Sequence, residues 1–113
     1  MTTEQPKRTP QNLNDLIASE DAVLAYFSTP ECRVCKALKP KVLAMLSDEF
    51  PKVSFQYVDC EAEPEVAAQN MVFAVPTLVV YFAGRETTRL SRNVGMGELA
   101  EGIRRPYQML FEG

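Results

Sequence analysis

The sequence predicts an α/β fold built on a mixed sheet, and three observations predict it. After a first helical segment, strand-like and helix-like runs alternate in the order βαβαββα. The run from Ala22 to Ser28 is apolar on both faces, as expected of a strand buried inside a parallel sheet. Gly84 makes a tight turn between the last two strand-like runs, which sets that pair antiparallel.

Each element has its own signal. Residues 1–9 read as a loose polar arm with Pro6 and two basic residues. Thr9-Pro10 opens a helix, with Thr9 as N-cap and Pro10 at the first helical position, and Leu13, Leu16 and Ile17 fall on one face. The strand Ala22 to Ser28 runs into a Thr29-Pro30-Glu31 turn. Cys32 stands at or just before a long helix reaching about Glu49, whose apolar stripe is Leu38, Val42, Met45 and Leu46 and which Pro40 should kink. A second strand covers Val53 to Asp59, and Glu63-Pro64-Glu65 opens a short helix ending near Asn70. The third and fourth strands are Thr77 to Phe82 and Glu86 to Ser91. A last helix starts near Gly97, and Pro106 should end or bend it.

A chain of 113 residues suits one domain, and at 46% hydrophobic it can build a core without disulfide staples. A net charge of −3, with no long run of either sign, argues against a nucleic-acid surface. There is no His, which removes the commonest nitrogen ligand and the usual general base. Met1 to Pro10 lacks the apolar core of a signal peptide, and no run is long enough to span a membrane. The expectation is a reducing cytoplasm, where a Cys pair is more often catalytic than structural.

That pair is Cys32-Arg33-Val34-Cys35, set between a strand and a helix. A thiolate, not a thiol, attacks a disulfide. A sulfur at a helix N-terminus meets unpaired N–H groups and the positive end of the helix dipole. Arg33 and Lys36 add positive charge and Glu31 opposes them, so a lowered Cys32 pKa is expected. Cys35, one turn inside the helix, should be less exposed. Cys32 is then the attacker and Cys35 the resolver. The competing reading is a structural metal site. It needs four ligands, yet only Cys60 offers a third thiol, so no metal and no cofactor is expected. Cys60 itself reads as a buried structural thiol.

A second marker is Ala74-Val75-Pro76-Thr77, a proline just before a strand. Together with Cys32, Cys35, Lys36, Pro40, Asp59 and Glu63-Pro64, it resembles the thioredoxin family from about Leu13 to Arg104. The resemblance implies a thioredoxin-like fold over residues 10–113, with four to five strands flanked by helices on both faces. It implies a cis Val75–Pro76 bond packed against the disulfide, with the Val75 backbone pairing an extended substrate segment. It also implies a thiol–disulfide oxidoreductase acting on protein disulfides and recharged by an unidentified reductase. Val75, Pro76, Arg33 and Val34 are the candidate substrate contacts, and no nucleic acid or membrane partner is expected.

The chain also departs from that family, which usually has Trp-Cys-Gly-Pro-Cys. Here Glu31 precedes Cys32, Arg33 and Val34 fill the spacer, and there is no Trp. The spacer tunes pKa and potential, so the potential need not match that of a thioredoxin. The family's buried Asp and its Lys partner are matched by Tyr26 and Tyr57, of which Tyr57 reads as a core aromatic. Without the acid, slower release of reduced substrate is expected. Met71-Val72-Phe73 either packs in the core or partly replaces the missing Trp. Tyr107, Met109, Leu110 and Phe111 form an apolar tail that either packs on its own sheet, leaving a monomer, or offers a dimer surface. A thioredoxin-fold binding module with weak or vestigial redox activity is the alternative function.

Overall fold

The computed structural model describes residues 10–112, so the expected arm over residues 1–9 and the Thr9 cap lie outside the described residues. The elements are α1 (Pro10–Ser19), β1 (Ala22–Ser28), α2 (Arg33–Glu49), β2 (Ser54–Asp59), α3 (Pro64–Gln69), β3 (Thr77–Phe82), β4 (Arg85–Ser91) and α4 (Met96–Tyr107). A π-helical segment, Gln108–Glu112, follows. The strands form one four-stranded sheet in the order β2-β1-β3-β4. β1 pairs parallel with β2 and antiparallel with β3, and β3 pairs antiparallel with β4.

Every residue of β1 is buried, as its unbroken apolar pattern requires. Leu24 and Tyr26 point to one face, against Val42 and Leu46 of α2 and Leu99 and Ile103 of α4. Val23, Ala25 and Phe27 point to the other, against Leu13 of α1 and Val66 of α3. The hairpin turn is Ala83-Gly84, with φ of 54° and 81°. Two positive φ values are what a tight hairpin matching the right-handed strand twist needs.

Strand and helix starts differ from the sequence reading by a residue or so. Val53 is buried, but its N–H donates to Phe50 O at 3.1 Å in a turn, so β2 begins at Ser54. β4 begins at Arg85, directly after the turn, and α4 begins at Met96 with Gly95 as cap. Pro106, expected to end or bend α4, lies inside it, one residue before its end. The helix runs through it to Tyr107. A helical proline leaves the carbonyl four residues back without its N–H partner, here that of Gly102. Thr88 of β4 replaces the lost donor, its Oγ1 donating to Gly102 O at 3.2 Å. Gly102 is what lets β4 come so near: a Cβ there would lie 2.6 Å from Thr88 Oγ1 and 2.7 Å from its Cγ2.

The tail divides. Tyr107 is buried, packs edge-on against Phe50 at 5.2 Å, and accepts a hydrogen bond from Lys52 N–H at 3.2 Å. Phe111 covers Tyr107 at 4.8 Å, with Lys52 over its ring at 5.2 Å. Met109 and Leu110 remain exposed.

By helix propensity alone, Gly102→Ala would stabilise α4 by about 1 kcal/mol. The approach of Thr88 reverses the sign: the variant is expected to lose about 1–3 kcal/mol, read from urea unfolding. A raised midpoint would show that Thr88 moves aside freely.

Candidate active site

The site gathers at one end of the sheet. Ser28 pairs with Asp59 across β1 and β2, and Phe27 with Thr77 across β1 and β3. The C-terminal ends of two parallel strands therefore meet the start of β3. Loops and helix N-termini converge at such strand ends, which is where open α/β sheets carry their sites.

Cys32 caps α2. Its backbone is extended, and its Sγ accepts from Cys35 N–H at 3.1 Å, as a Ser hydroxyl does in an ordinary N-cap. Cys32 and Cys35 are joined by a disulfide, with Cα atoms 5.2 Å apart. The two sulfurs differ in access: Cys32 is half-buried and Cys35 is 1% exposed. Between them Arg33 is exposed and Val34 is 60% exposed, so both spacer side chains face outward.

The Val75–Pro76 peptide bond is cis. Pro76 is buried and Val75 half-buried, and Val75 and Cys32 pack on the same core cluster beneath α2. Buried Thr77 anchors the loop, donating from Oγ1 to Ala74 O at 2.6 Å. Its single proton is thus used, so Ser91 Oγ donates to Thr77 Oγ1 at 2.9 Å. Arg92 N–H donates to Pro76 O at 2.7 Å.

Arg89 holds the turn ahead of this loop and was not singled out from the sequence. Its guanidinium donates to Asn70 O at 3.0 Å and Met71 O at 3.3 Å, and it pairs with Glu86 at 2.9 Å. That pairing holds the Glu86 carboxyl below its usual range. A charged residue on a solvent-facing strand carries no sequence signal for such a role.

Met71-Val72-Phe73 divides between core and surface. Val72 is buried, whereas Met71 is 69% and Phe73 84% exposed. Val72 and Phe73 line a pocket of about 320 Å³ with Cys60, Pro64, Ala67, Ala68, Ala74 and Val75. Cys60 is half-buried rather than buried as expected, because β2 has just ended and its side chain lines this pocket. Burial, and then the Asp59 carboxylate, still push its thiol pKa up.

Beneath the disulfide lie the two tyrosines. Tyr26 is fully buried, and its hydroxyl donates to Cys35 O at 2.6 Å. Burial, and then Tyr57, push its pKa up to about 12, so at neutral pH it keeps its proton and acts as a donor. Tyr57 pairs with Tyr26 in the strand register and stacks on it at 6.3 Å. It is half-buried rather than a core residue, because Lys39, not the sheet, covers its outer face.

The model of the Thioredoxin family matches residues 4–105. The chain is 31% identical over 102 residues to Thioredoxin-like protein YdfQ of Bacillus subtilis, covering 90% of this chain and 89% of that protein. It is 38% identical over 86 residues to thioredoxin of Chlamydia trachomatis, covering 76% and 79%. Its structure is similar to that of Fasciola hepatica thioredoxin, with a TM-score of 0.77 at 32% identity, covering 86% and 93%.

Two outcomes test this geometry. Tyr26→Phe keeps the ring and removes the bond to Cys35 O, and is expected to cost about 1 kcal/mol in urea unfolding. An unchanged midpoint would show that the bond carries no stability. Glu86 has a lowered folded pKa, so its contribution is present above the ordinary Glu range and is lost as pH falls through the folded value. Wild type should therefore be slightly more stable than Glu86→Gln at neutral pH and lose that margin in acid. The margin is small because the pair is open to water.

Proposed function

The chain belongs to the thioredoxin family and is a thiol–disulfide oxidoreductase, and from that premise we propose that it reduces disulfides in protein substrates, with Cys32 attacking and Cys35 resolving. The observation that carries the assignment is the unequal placement of the two sulfurs. Cys32 is the reachable one and receives the N–H of Cys35, a contact that stabilises a thiolate in the reduced protein. Cys35 is shielded and stands next to Cys32 Sγ, the sulfur it attacks once Cys32 carries the substrate.

In the forward direction the Cys32 thiolate attacks one substrate sulfur, and the other leaves as a thiolate and takes a proton. Cys35, deprotonated, then attacks Cys32 Sγ. The Cys32–Cys35 bond forms, the mixed disulfide breaks, and the second substrate thiol leaves. Two electrons pass from the protein to the substrate. A reductase must return them, which gives the chain a place in electron transport.

Val75 and Pro76 form one wall against which an extended substrate strand lies, and Arg33 and Val34 form the other. Exposed Met71 and Phe73 supply the apolar contact that the absent Trp would have made. Residues 10–113 act as one thioredoxin-like unit. Among the described residues no helix is long and apolar enough to cross a membrane. A reducing compartment, the cytoplasm, suits a chain that must be returned to its dithiol state. The half-packed tail suits a monomer, with Met109 and Leu110 as the contact if a dimer forms.

The binding-module reading has one observation of its own: Tyr26 supplies a neutral donor where the family keeps an acid. Insulin reduction with dithiothreitol separates the two. Turnover well above the uncatalysed rate is expected, abolished by Cys32→Ser. Cys35→Ser should retain substrates as mixed disulfides on Cys32. Wild type no faster than dithiothreitol alone, with no trapped species, would leave the binding module standing.

A further inference from the structure

The resolving step has a physical difficulty. Cys35 is almost wholly enclosed, so its thiol must ionise away from bulk water. Tyr26, the polar side chain set beneath it, is a committed donor to Cys35 O and cannot take the proton. The structure nonetheless has a cavity of about 110 Å³ under the site, lined among others by Cys35, Tyr26, Tyr57, Lys36 and Lys39. That is several times the roughly 30 Å³ a water molecule occupies in the liquid, so the cavity has room for water beside Cys35.

Among the described residues no carboxylate lines the cavity, and two lysines do. They are not equivalent. Lys36 is exposed. Lys39 is half-buried and one helical turn beyond Cys35, so its side chain leans back over the turn that carries the thiol. Its Nζ lies 4.8 Å from the centroid of the Tyr57 ring, a cation–π contact that holds the ammonium against the sheet.

We propose that Lys39, held over Tyr57 in the wall of this cavity, is a positioning residue for ring closure that favours the Cys35 thiolate. This rests on the reading of Cys35 as resolver. An ammonium cannot accept the proton, so its part is electrostatic: the proton leaves through water, and the anion left on sulfur faces a fixed positive charge. β1 presents Tyr26 and β2 presents Tyr57, both neutral, and α2 itself adds Lys36. Asp59, at the end of β2, accepts from the N–H groups of Glu61 and Ala62 at 2.9 and 3.2 Å and so serves the next turn. Arg33 and Glu31 are exposed beside Cys32.

The test is a stopped-flow reaction of the reduced full-length chain with one equivalent of dithiobis-nitrobenzoate. One thionitrobenzoate leaves when Cys32 attacks, and a second when Cys35 closes the ring. In Lys39→Gln the second phase should move about one pH unit upward, while the first phase stays in place. A tenfold loss of thiolate is partly offset by the greater nucleophilicity of a more basic sulfur, so slowing at neutral pH should be about threefold. At high pH the variant should catch up with wild type. Lys39→Arg and Tyr57→Phe should behave as wild type, and Tyr57→Leu should shift in the direction of Lys39→Gln. An unmoved second-phase pH profile in Lys39→Gln overturns the proposal while leaving Cys35 as resolver. A wild type that shows no second phase at all overturns that assignment, and the proposal with it.

Discussion

The constraint on which the rest of this structure depends is the complete burial of β1. Each of its residues lies inside, Val23 to Phe27 have strand partners on both sides, and helices cover both faces. A strand so enclosed cannot slip by one residue without exchanging its two core faces. Its register therefore fixes where Ser28 ends, and with it the height of the turn that delivers Cys32. The same register sets the start of β3, so the Cys loop and the Val75–Pro76 loop reach the same end of the sheet from opposite chain directions. Site geometry here is a consequence of strand pairing.

Burial also explains what replaces the acid beneath the disulfide. A lone carboxylate at position 26 would need a cationic partner or would be forced neutral. Tyr26 avoids that by being neutral already. It fills the volume, stacks on Tyr57, and satisfies its one polar atom on Cys35 O. The hydrogen bond ties the first turn of α2 to β1. In the resolving step proposed for Cys35, a tyrosine that keeps its proton leaves deprotonation to water and to the surrounding charge.

The same pattern of compensation recurs at the other end of the molecule. Pro106 deprives Gly102 of an intrahelical donor, Thr88 supplies one, and Gly102 is small enough to let Thr88 near. Taken singly, a glycine and a proline in one helix read as weaknesses. Taken with β4, they are two halves of a contact between α4 and the sheet. Arg89 is comparable: on its strand it is an ordinary surface cation, but in the fold its guanidinium ties β4 to the turn that leads into the proline loop.

By itself the sequence determined the α/β order, the limits of β1 and β3, the cap position of Cys32 and the shielding of Cys35. These follow from local signals: apolar periodicity, turn residues, and a Cys pair at a strand-to-helix junction. Only the tertiary structure decided the continuation of α4 past Pro106, the division of residues 71–73 between core and surface, the half-exposed wall that Cys60 forms, the clamp made by Arg89 and the seat of Lys39 on Tyr57. Each of these depends on a partner from another element brought close by the packing of the sheet. Periodicity and propensity describe a residue's neighbours along the chain, and these residues take their roles from neighbours across it.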